Sequence, residues 1–334
     1  WLVKSENYQA LNTILPKFRE KVRVIYIDPP YNTGTDEFIY RDRYQRSSWL
    51  SMMADRLKLA REWMSSYGAI FISVDDNQHD SLWLVMKSVF GEENTITSMV
   101  WEGGLKNDSR FISVSQDYIV VFVKDKEYLS KQNVRWRVRK EGIDEIYAQV
   151  ERLKRQFGND YDRISQELKQ WYSSLPRGHP AKQHRHYNMV DDRGVFFPGD
   201  ISWPGGGGPA YEVYHPVTGK PVRKPQRGWV FPNEERMQEA IREGRVLFGP
   251  DENSVPKLKR YLHETEGQVL WPVFYKDRRA AFQQLRDILG TDVYANPKDT
   301  ETIEDLIEAA GDANSLILDF FAGSGTTAHA VINL

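Results

Sequence analysis

The chain of 334 residues is long enough to bury a large core or to form two domains, and its formal net charge is -2. It contains no cysteine, which excludes disulfide bonds, thiolate metal ligands and a cysteine nucleophile. It has no run of about 18 apolar residues and no signal pattern, so we expect a cytoplasmic protein with no membrane partner. Because the chain begins with Trp1 and ends at Leu334 within a predicted helix, we expect it to be part of a longer polypeptide.

The charge is distributed unevenly along the chain. Residues 129–190 hold 13 Lys and Arg against 7 Asp and Glu, and residues 201–230 hold 4 against 1. Residues 291–334, in contrast, hold 1 against 8. Basic charge concentrated in one region favours contacts with the phosphates of a nucleic acid. Charged residues that lie on solvated faces would give the same pattern, so the charge alone leaves both interpretations open.

Four continuous runs of β-branched, aliphatic and aromatic residues predict strands that are buried on both faces, as in the centre of a parallel sheet. They cover residues 22–27, 69–74, 118–123 and 316–318. A helix is predicted between the first two strands because apolar residues recur there every three or four positions, and we expect Gly68 to end it. The apolar residues of this helix are Trp49, Met53, Leu57, Ala60 and Met64.

A second amphipathic helix is predicted just before the last strand, with Ile303, Leu306, Ile307 and Ala310 on one face. Strands that alternate with helices predict an α/β fold with a Rossmann-like, doubly wound and mostly parallel sheet.

The middle of the chain has a different pattern. Residues 144–175 predict two polar helices, whereas residues 176–235 are rich in Pro, Gly, His and aromatic residues and predict irregular structure. We therefore expect a catalytic domain formed by residues 1–130 and 266–334, with a separate lobe at 131–265 inserted between its two parts.

The first chemical motif directly follows the first strand and reads Asp28-Pro29-Pro30-Tyr31-Asn32-Thr33-Gly34. The carboxyl ends of the strands in an open α/β sheet are where ligands bind. Two prolines make the turn rigid and remove two N–H donors, so that it presents acceptors. The carboxylate of Asp28 and the carbonyl of Pro29 would accept hydrogen bonds from an amino group on an aromatic ring, and Tyr31 would stack on that ring. The alternative is a strand-ending turn without a ligand.

The second motif follows the last strand and reads Asp319-Phe320-Phe321-Ala322-Gly323-Ser324-Gly325-Thr326-Thr327. Glycines allow close approach of a ligand to the backbone, and the start of the following helix favours an anion. No Lys follows the second glycine, so the motif is not a phosphate loop of the Walker type. We expect Asp319 to pair with the ammonium of a methionine moiety and the helix end, with Thr326 and Thr327, to bind its carboxylate. A tight turn without a ligand would have the same pattern.

With these two motifs in this order, the chain resembles the β class of amino-methyltransferases. Within that class it is most similar to the modification (Mod) subunit of type III restriction-modification systems. The stretches that carry the resemblance are 25–34, 56–62, 68–76, 90–94, 116–120, 228–229 and 318–330.

The resemblance implies a DNA methyltransferase that transfers a methyl group from S-adenosylmethionine to N6 of a flipped-out adenine. The implied catalytic residues are Asp28, Pro29, Pro30 and Tyr31. The implied cofactor-binding residues are Lys298, Asp319, Phe321, Ala322, Gly323, Ser324, Gly325, Thr326 and Thr327, and no metal is expected. Double-stranded DNA is the expected partner, together with a restriction subunit that has helicase and nuclease activity and a second copy of the chain in a homodimer. The inserted lobe is expected to recognise the target sequence.

Three differences from the family pattern bear on the site. The helix before the last strand begins in this family with a Pro-Lys-Pro-like signature, and here the second proline is replaced by Asp299. The stretch between Gly34 and Trp49 is shorter than the resemblance implies. The family also continues beyond the glycine-rich helix to a strand whose acidic residue holds the ribose of the cofactor.

Three alternatives remain open at this point. Cytosine methylated at N4 presents the same kind of amino group as adenine methylated at N6. A DNA-binding specificity subunit of a restriction complex would keep the cofactor for structural reasons without independent activity. An RNA or protein substrate ranks below both.

Overall fold

The fold is taken from a computed structural model of the protein. It describes residues 1–33, 44–103, 110–112, 114–276, 278–292, 294 and 296–334, so Gly34 of the first motif and most of the short stretch before Trp49 lie outside it. The chain divides into two compact units, which are Trp1–Val138 with Val269–Leu334, and Arg139–Gln268. Within the described residues, each helix is too short or too polar to cross a membrane.

The first part of the first unit alternates helices and strands. Its elements are α1 (Asn7–Phe18), β1 (Val22–Ile27), α2 (Arg46–Trp63), β2 (Met64–Val74), α3 (His79–Phe90), β3 (Thr95–Glu102), β4 (Gln116–Val123) and α4 (Lys126–Lys131).

The second unit contains shorter elements. They are α5 (Ile143–Phe157), α6 (Tyr161–Ser174), α7 (Pro180–Gln183), β6 (Met189–Asp191), β7 (Gly194–Gly199), α8 (Glu234–Arg242), β8 (Val246–Leu247) and β9 (Lys257–Tyr261). Two short strands pair with each other where the chain enters and leaves this unit, and these are β5 (Val138–Arg139) and β10 (Gly267–Gln268).

The chain then returns to the first unit. The returning elements are β11 (Val273–Tyr275), α9 (Arg278–Leu289), α10 (Thr300–Ala310), β12 (Leu316–Leu318) and α11 (Thr326–Asn333).

The first unit is built on a six-stranded sheet with the order β11-β3-β4-β2-β1-β12. Only β4 runs antiparallel to its neighbours, since β1 is parallel to both β12 and β2, and β11 is parallel to β3. The register pairs Ile25 of β1 with Leu318 of β12. Because parallel strands end at the same edge, the residues that follow β1 and β12 lie side by side.

Helices cover both faces of this sheet. Ile25 and Ile27 of β1 belong to a buried cluster with residues of α1, α2 and α3, whereas Val24 and Tyr26 belong to a cluster with residues of α4, α10 and α11. Successive side chains of a strand point to opposite faces, so β1 is buried on both of them. The predicted α/β fold with a doubly wound, mostly parallel sheet is therefore confirmed.

All four predicted strands are present, and β1 and β12 coincide with the predicted ranges 22–27 and 316–318. The predicted burial on both faces is wrong for β12, which lies at the edge of the sheet with Leu316 exposed and its other two residues partly buried. The prediction that Gly68 ends the helix between β1 and β2 is wrong. The helix α2 ends at Trp63, and Gly68 lies within β2, where the pairing with β1 shifts from Met64 to Ala69. Glycine is needed there because a Cβ on Gly68 would lie 2.8 Å from the Cβ of Met64.

The second unit has its own buried core. The predicted pair of helices at 144–175 is confirmed by α5 and α6, which pack with α7, β6 and β7 around Ile146, Leu153 and Leu168. A four-stranded antiparallel sheet follows, in the order β6-β7-β9-β8. A second cluster around Trp229 and Met237 supports the largely irregular segment between β7 and α8.

We predict that Gly68→Ala lowers the free energy of unfolding by about 1–3 kcal/mol, because the new methyl group meets backbone and a buried side chain. The added Cβ would lie 2.8 Å from both the Met64 Cβ and the Ser65 carbonyl oxygen. Urea denaturation measures this change. The matched control is Ser66→Ala at a neighbouring exposed position, which should change the free energy by less than about 0.5 kcal/mol. Equal stability of the two variants would contradict the assignment of Gly68.

Candidate active site

The Asp-Pro-Pro-Tyr turn is fixed to the core directly after β1. Pro29 and Pro30 are buried, and Asp28 and Tyr31 are partly buried. The indole N–H of the fully buried Trp49 donates a hydrogen bond of 2.8 Å to the carbonyl of Pro30. Sequence reasoning assigned Trp49 only to the apolar face of a helix and missed this contact, which holds the turn against α2.

Asn32 closes the turn on its other side. Its φ of 59° lies in the left-handed region, which Asn tolerates better than most residues. Its side-chain amide donates to the carbonyl of Tyr44 at 3.1 Å, and its side-chain oxygen accepts from the Tyr44 N–H at 2.6 Å. The chain is thus held together at Asn32 and Tyr44, directly beside Tyr31.

The carboxylate of Asp28 has one buried oxygen, Oδ1, that accepts no hydrogen bond from the described residues. The ammonium of Lys298 lies 3.4 Å from it, at ion-pair distance. Burial raises the pKa of Asp28 above its usual range; Lys298 opposes this effect and the carboxylate of Asp117 adds to it. A buried acceptor with unused capacity is what an amino group requires as a partner.

Lys298 also contacts Tyr31 and Asp117. Its ammonium donates to the Tyr31 hydroxyl at 2.5 Å and to Oδ2 of Asp117 at 3.2 Å. Asp117 is only 5% exposed and lies at the start of β4, which is antiparallel and therefore begins at the edge where β1 and β2 end. Sequence reasoning missed Asp117, although an acidic residue within an otherwise apolar strand was a usable signal.

The glycine-rich turn after β12 is organised around Asp319. Its Oδ1 accepts from the N–H of Phe321 at 2.8 Å and its Oδ2 accepts from the hydroxyl of Thr327 at 2.6 Å. Burial raises the pKa of Asp319 to about 6, and the two hydrogen bonds limit that rise. Thr327 is buried and donates its hydroxyl inside the turn, so its contact with a cofactor stays a prediction.

Two glycines give the turn its shape. Gly323 and Gly325 have φ values of 53° and 81°, which side-chain-bearing residues rarely adopt. The N–H of Gly325 donates to the carbonyl of Ala322 at 2.7 Å, and α11 then begins at Thr326, as the motif predicted. The hydroxyls of Ser324 and Thr326 pair with each other at 2.8 Å.

Asn7 makes a further contact that sequence reasoning missed. Its side-chain amide donates to the carbonyl of Phe320 at 2.9 Å, and its side-chain oxygen accepts from Arg56 at 2.6 Å. Because Arg56 belongs to α2, Asn7 connects the glycine-rich turn to the same helix that holds the Asp-Pro-Pro-Tyr turn.

The two motifs line one cavity, which is the arrangement that their positions after neighbouring strands predict. Predicted residues in its lining are Asp28, Lys298, Asp319, Phe321, Ala322, Gly323, Ser324, Thr326 and Thr327. The lining also includes Tyr26, Tyr294 and Asn296. It does not include four predicted site residues, which are Pro29, Pro30, Tyr31 and Gly325. The volume is about 20 Å³, enough for about one water molecule. Tyr294 narrows it, since its hydroxyl lies 3.0 Å from the place that a Cβ on Gly323 would occupy.

Asp299, which replaces the second proline of the signature, caps α10. Its Oδ2 accepts from the N–H of Thr302 at 2.8 Å and from the Thr302 hydroxyl at 2.7 Å. The departure from the family pattern therefore has a structural role. Within the part of the chain that the structure describes, no cluster of three or more His, Asp or Glu side chains is arranged to hold a metal ion.

Comparison with known proteins defines the class. The family model described as DNA methylase, which covers the N6 and N4 types, matches residues 22–334, and the chain belongs to this family. This confirms the family predicted from the two motifs.

Named relatives narrow the comparison further. The chain is 33% identical to the Mod subunit of the type III restriction-modification enzyme EcoP15I of Escherichia coli, over 100% of the chain and 56% of the relative. It is 29% identical to the Mod subunit of the type III enzyme StyLTI of Salmonella typhimurium, over 98% of the chain and 49% of the relative. It is also 29% identical to the type II methyltransferase M.KpnI of Klebsiella pneumoniae, over 96% of the chain and 73% of the relative. The chain thus spans about half the length of the two Mod subunits.

We predict that Thr327→Val raises the pKa of Asp319 above its value of about 6, because the ionised carboxylate loses a hydrogen-bond donor. NMR titration of ¹³C-labelled aspartate measures the pKa. The resonance of Asp319 is identified by its absence from the spectrum of Asp319→Asn.

The matched control is Thr326→Val, since the Thr326 hydroxyl pairs with Ser324 and not with Asp319. The pKa of Asp319 should stay near 6 in this control. The proposed role of Thr327 is wrong if both variants leave the titration of Asp319 unchanged.

Proposed function

We propose that the protein containing this chain transfers a methyl group from S-adenosylmethionine to N6 of an adenine that has been flipped out of double-stranded DNA. The observation that carries the proposal is the buried Oδ1 of Asp28, which has no hydrogen-bond donor among the described residues. Asp28 lines the same cavity as the glycine-rich turn, and Lys298 contacts both its carboxylate and the hydroxyl of Tyr31. Membership in the DNA methylase family supports the same conclusion.

The chemistry of the target explains why an acceptor is required. The lone pair of an amino group on an aromatic ring is delocalised into the ring, which makes the nitrogen a poor nucleophile. Hydrogen bonds to the Asp28 carboxylate and the Pro29 carbonyl would hold the nitrogen toward tetrahedral geometry and make the lone pair available. Stacking on Tyr31 would contribute roughly 1–3 kcal/mol to binding of the extruded base. The nitrogen gains a methyl group and loses a proton, and because burial raises the pKa of Asp28, its Oδ1 is suited to take that proton.

The glycine-rich turn fits the methionine end of the cofactor in its chemistry. Asp319 is suited to the ammonium, and the hydroxyls of Ser324 and Thr326 with the start of α11 are suited to the carboxylate. The chemistry that S-adenosylmethionine supplies when bound is an electrophilic methyl group. The cavity is smaller than typical small-molecule pockets, which are about 300–1,000 Å³, and Tyr294 narrows it at Gly323.

The second unit is proposed to recognise the DNA target. The second unit has exposed cations that make no ion pair with any described residue, and among them are Arg152, Arg155, Lys169, Arg177 and Arg185. Unpaired basic side chains on a surface favour contacts with DNA phosphates. The irregular segment between β7 and α8 would supply side chains for reading bases.

The relatives indicate a setting for this activity. Two of them are Mod subunits of type III restriction-modification enzymes from bacteria. We therefore propose a restriction-modification system in a prokaryotic cytoplasm, with a restriction subunit of helicase and nuclease activity as partner. A homodimer is a further proposal that follows from the resemblance alone.

Two alternatives fit the same geometry. An acceptor such as Asp28 Oδ1 would also bind N4 of cytosine, because both amino groups lie next to a ring nitrogen. A specificity subunit without activity would bind cofactor and DNA but transfer no methyl group, which calorimetry combined with a methyl-transfer assay distinguishes.

We predict that Asp28→Ala lowers the rate of DNA methylation by at least about 100-fold, because a positioned hydrogen-bond partner of the reacting nitrogen is lost. The dissociation constant for S-adenosylmethionine should remain nearly unchanged, since Asp319 and the glycine-rich turn are intact. A tritium-transfer assay measures the rate, and isothermal titration calorimetry measures the affinity, both on the complete natural polypeptide.

Asp319→Asn should show the reverse pattern, with weakened cofactor binding as its main defect. Asp55→Ala, at an exposed position of α2, is the neutral control and should change neither quantity. Retained methylation in Asp28→Ala together with lost cofactor affinity would overturn the assignment of Asp28.

We predict that DNA treated with the protein and then digested to nucleosides contains N6-methyldeoxyadenosine. In the class that the chain resembles, aspartate as the first residue of the motif favours adenine. Liquid chromatography with mass spectrometry separates this product from N4-methyldeoxycytidine. Detection of the cytosine product alone would replace the proposed target by its alternative.

A further inference from the structure

One ammonium lies between a buried carboxylate and a partly buried one at the edge of the sheet. Lys298 Nζ is 3.4 Å from Oδ1 of Asp28 and 3.2 Å from Oδ2 of Asp117. The side chains of Lys298 and Asp117 are only 13% and 7% exposed. The cluster therefore holds two negative charges and one positive charge in a poorly solvated place.

The same ammonium also holds the ring of Tyr31. It donates to the Tyr31 hydroxyl at 2.5 Å, and that hydroxyl lies 3.4 Å from Oδ2 of Asp117. Lys298 and Asp117 thus fix the far end of the ring that would stack on a base. The near end is fixed by the backbone, through the contacts of Pro30 and Asn32 with α2 and with Tyr44.

A buried carboxylate is costly unless it is paired, and it otherwise takes up a proton. Lys298 forms ion pairs with both carboxylates, at 3.2 Å from Asp117 Oδ2 and 3.4 Å from Asp28 Oδ1, and it donates a hydrogen bond to Asp117. Lys298 is therefore a positive charge that can keep Asp28 ionised, while Oδ1 accepts no hydrogen bond from a described residue.

We propose that Lys298, anchored by Asp117, is a positioning residue of the base site that keeps Asp28 ionised and holds Tyr31 for stacking. This inference rests on the proposed function and extends it, since it assigns Lys298 to the base and adds Asp117, which no motif contains. Lys298 acts through Asp28 and Tyr31 and not on the reacting nitrogen.

The proposal predicts that removing the charge of Lys298 and removing the charge of Asp117 shift the pKa of Asp28 in opposite directions. The charged and titratable groups that face Asp28 are Lys298, Asp117, Tyr31, Tyr26 and Asp319. Removal of the positive charge of Lys298 raises the pKa of Asp28, because the ionised form loses its stabilising neighbour. Removal of the negative charge of Asp117 lowers the pKa of Asp28, because a repulsive neighbour disappears.

The experiment is the pH dependence of the single-turnover methylation rate, measured with saturating S-adenosylmethionine and DNA on the complete natural polypeptide. In Lys298→Gln we expect the acid limb of the profile to move to higher pH by about 1 unit. In Asp117→Asn, which preserves the shape of the side chain, we expect the limb to move to lower pH. Lys298→Arg keeps the charge and should restore the wild-type limb.

Lys124→Gln is the matched control for a partly buried lysine of the same sheet. Lys124 follows the opposite end of β4, where its ammonium donates to the carbonyl of Met64 at 2.7 Å and its side chain is 18% exposed. We expect the acid limb of this variant to coincide with that of the wild type.

Failure of this inference differs from failure of the proposed function. If the wild type transfers no methyl group to DNA, the proposed function is wrong. If the wild type is active but the two variants leave the acid limb in place, or move it in the same direction, the positioning role is wrong. If Lys298→Gln raises the dissociation constant for S-adenosylmethionine and leaves the acid limb in place, Lys298 binds the cofactor and does not position the base site.

Discussion

The parallel pairing of β1 with β12 is the contact on which the candidate site depends. It pairs Ile25 with Leu318, so the strands end together and the residues that follow them, Asp28 and Asp319, lie at the same edge. These residues belong to opposite ends of the chain, and the unit Arg139–Gln268 is inserted between them. Helices on both faces bury β1, and α2 holds both turns, one through Trp49 and the other through Arg56 and Asn7. The site therefore depends on strands from the two separate parts of the first unit.

The carboxylates at this edge of the sheet differ in how their charge is stabilised. Asp319 accepts hydrogen bonds on both oxygens from within its own turn. Asp117 has the ammonium of Lys298 as an ion-pair partner. Asp28 alone among these three has a buried oxygen without a hydrogen bond from any described residue. Its ion pair with Lys298, at 3.4 Å, stabilises the charge of Asp28 and leaves hydrogen-bonding capacity that a donor supplied by a ligand would use.

Local sequence signals predicted the fold and half of the site. A strand such as 22–27 could be predicted because all of its residues except Arg23 are aliphatic or aromatic, and the two motifs could be placed because each follows such a strand. The strand β3 escaped prediction because its Thr and Ser residues interrupt the apolar pattern. The contacts of Asp117 and Asn7 could not be predicted, since their partners Lys298 and Phe320 are 181 and 313 positions away. Such pairs are determined by strand order and register, which one sequence does not specify.

The replacement of proline by Asp299 illustrates how a motif can change while its geometry is kept. Asp299 has a φ of -70°, which lies within the range that a proline ring imposes. The backbone that leads from Lys298 into α10 is therefore the one that proline would give. Proline restricts this backbone in the unfolded chain as well, and aspartate gives up that advantage. It compensates by capping α10 through two hydrogen bonds to Thr302, a contribution of about 1 kcal/mol at a typical helix start. Because the helix start remains fixed, Lys298 keeps its place between Asp28 and Asp117, and the departure from the signature affects the cap of the helix rather than the charge at the sheet edge.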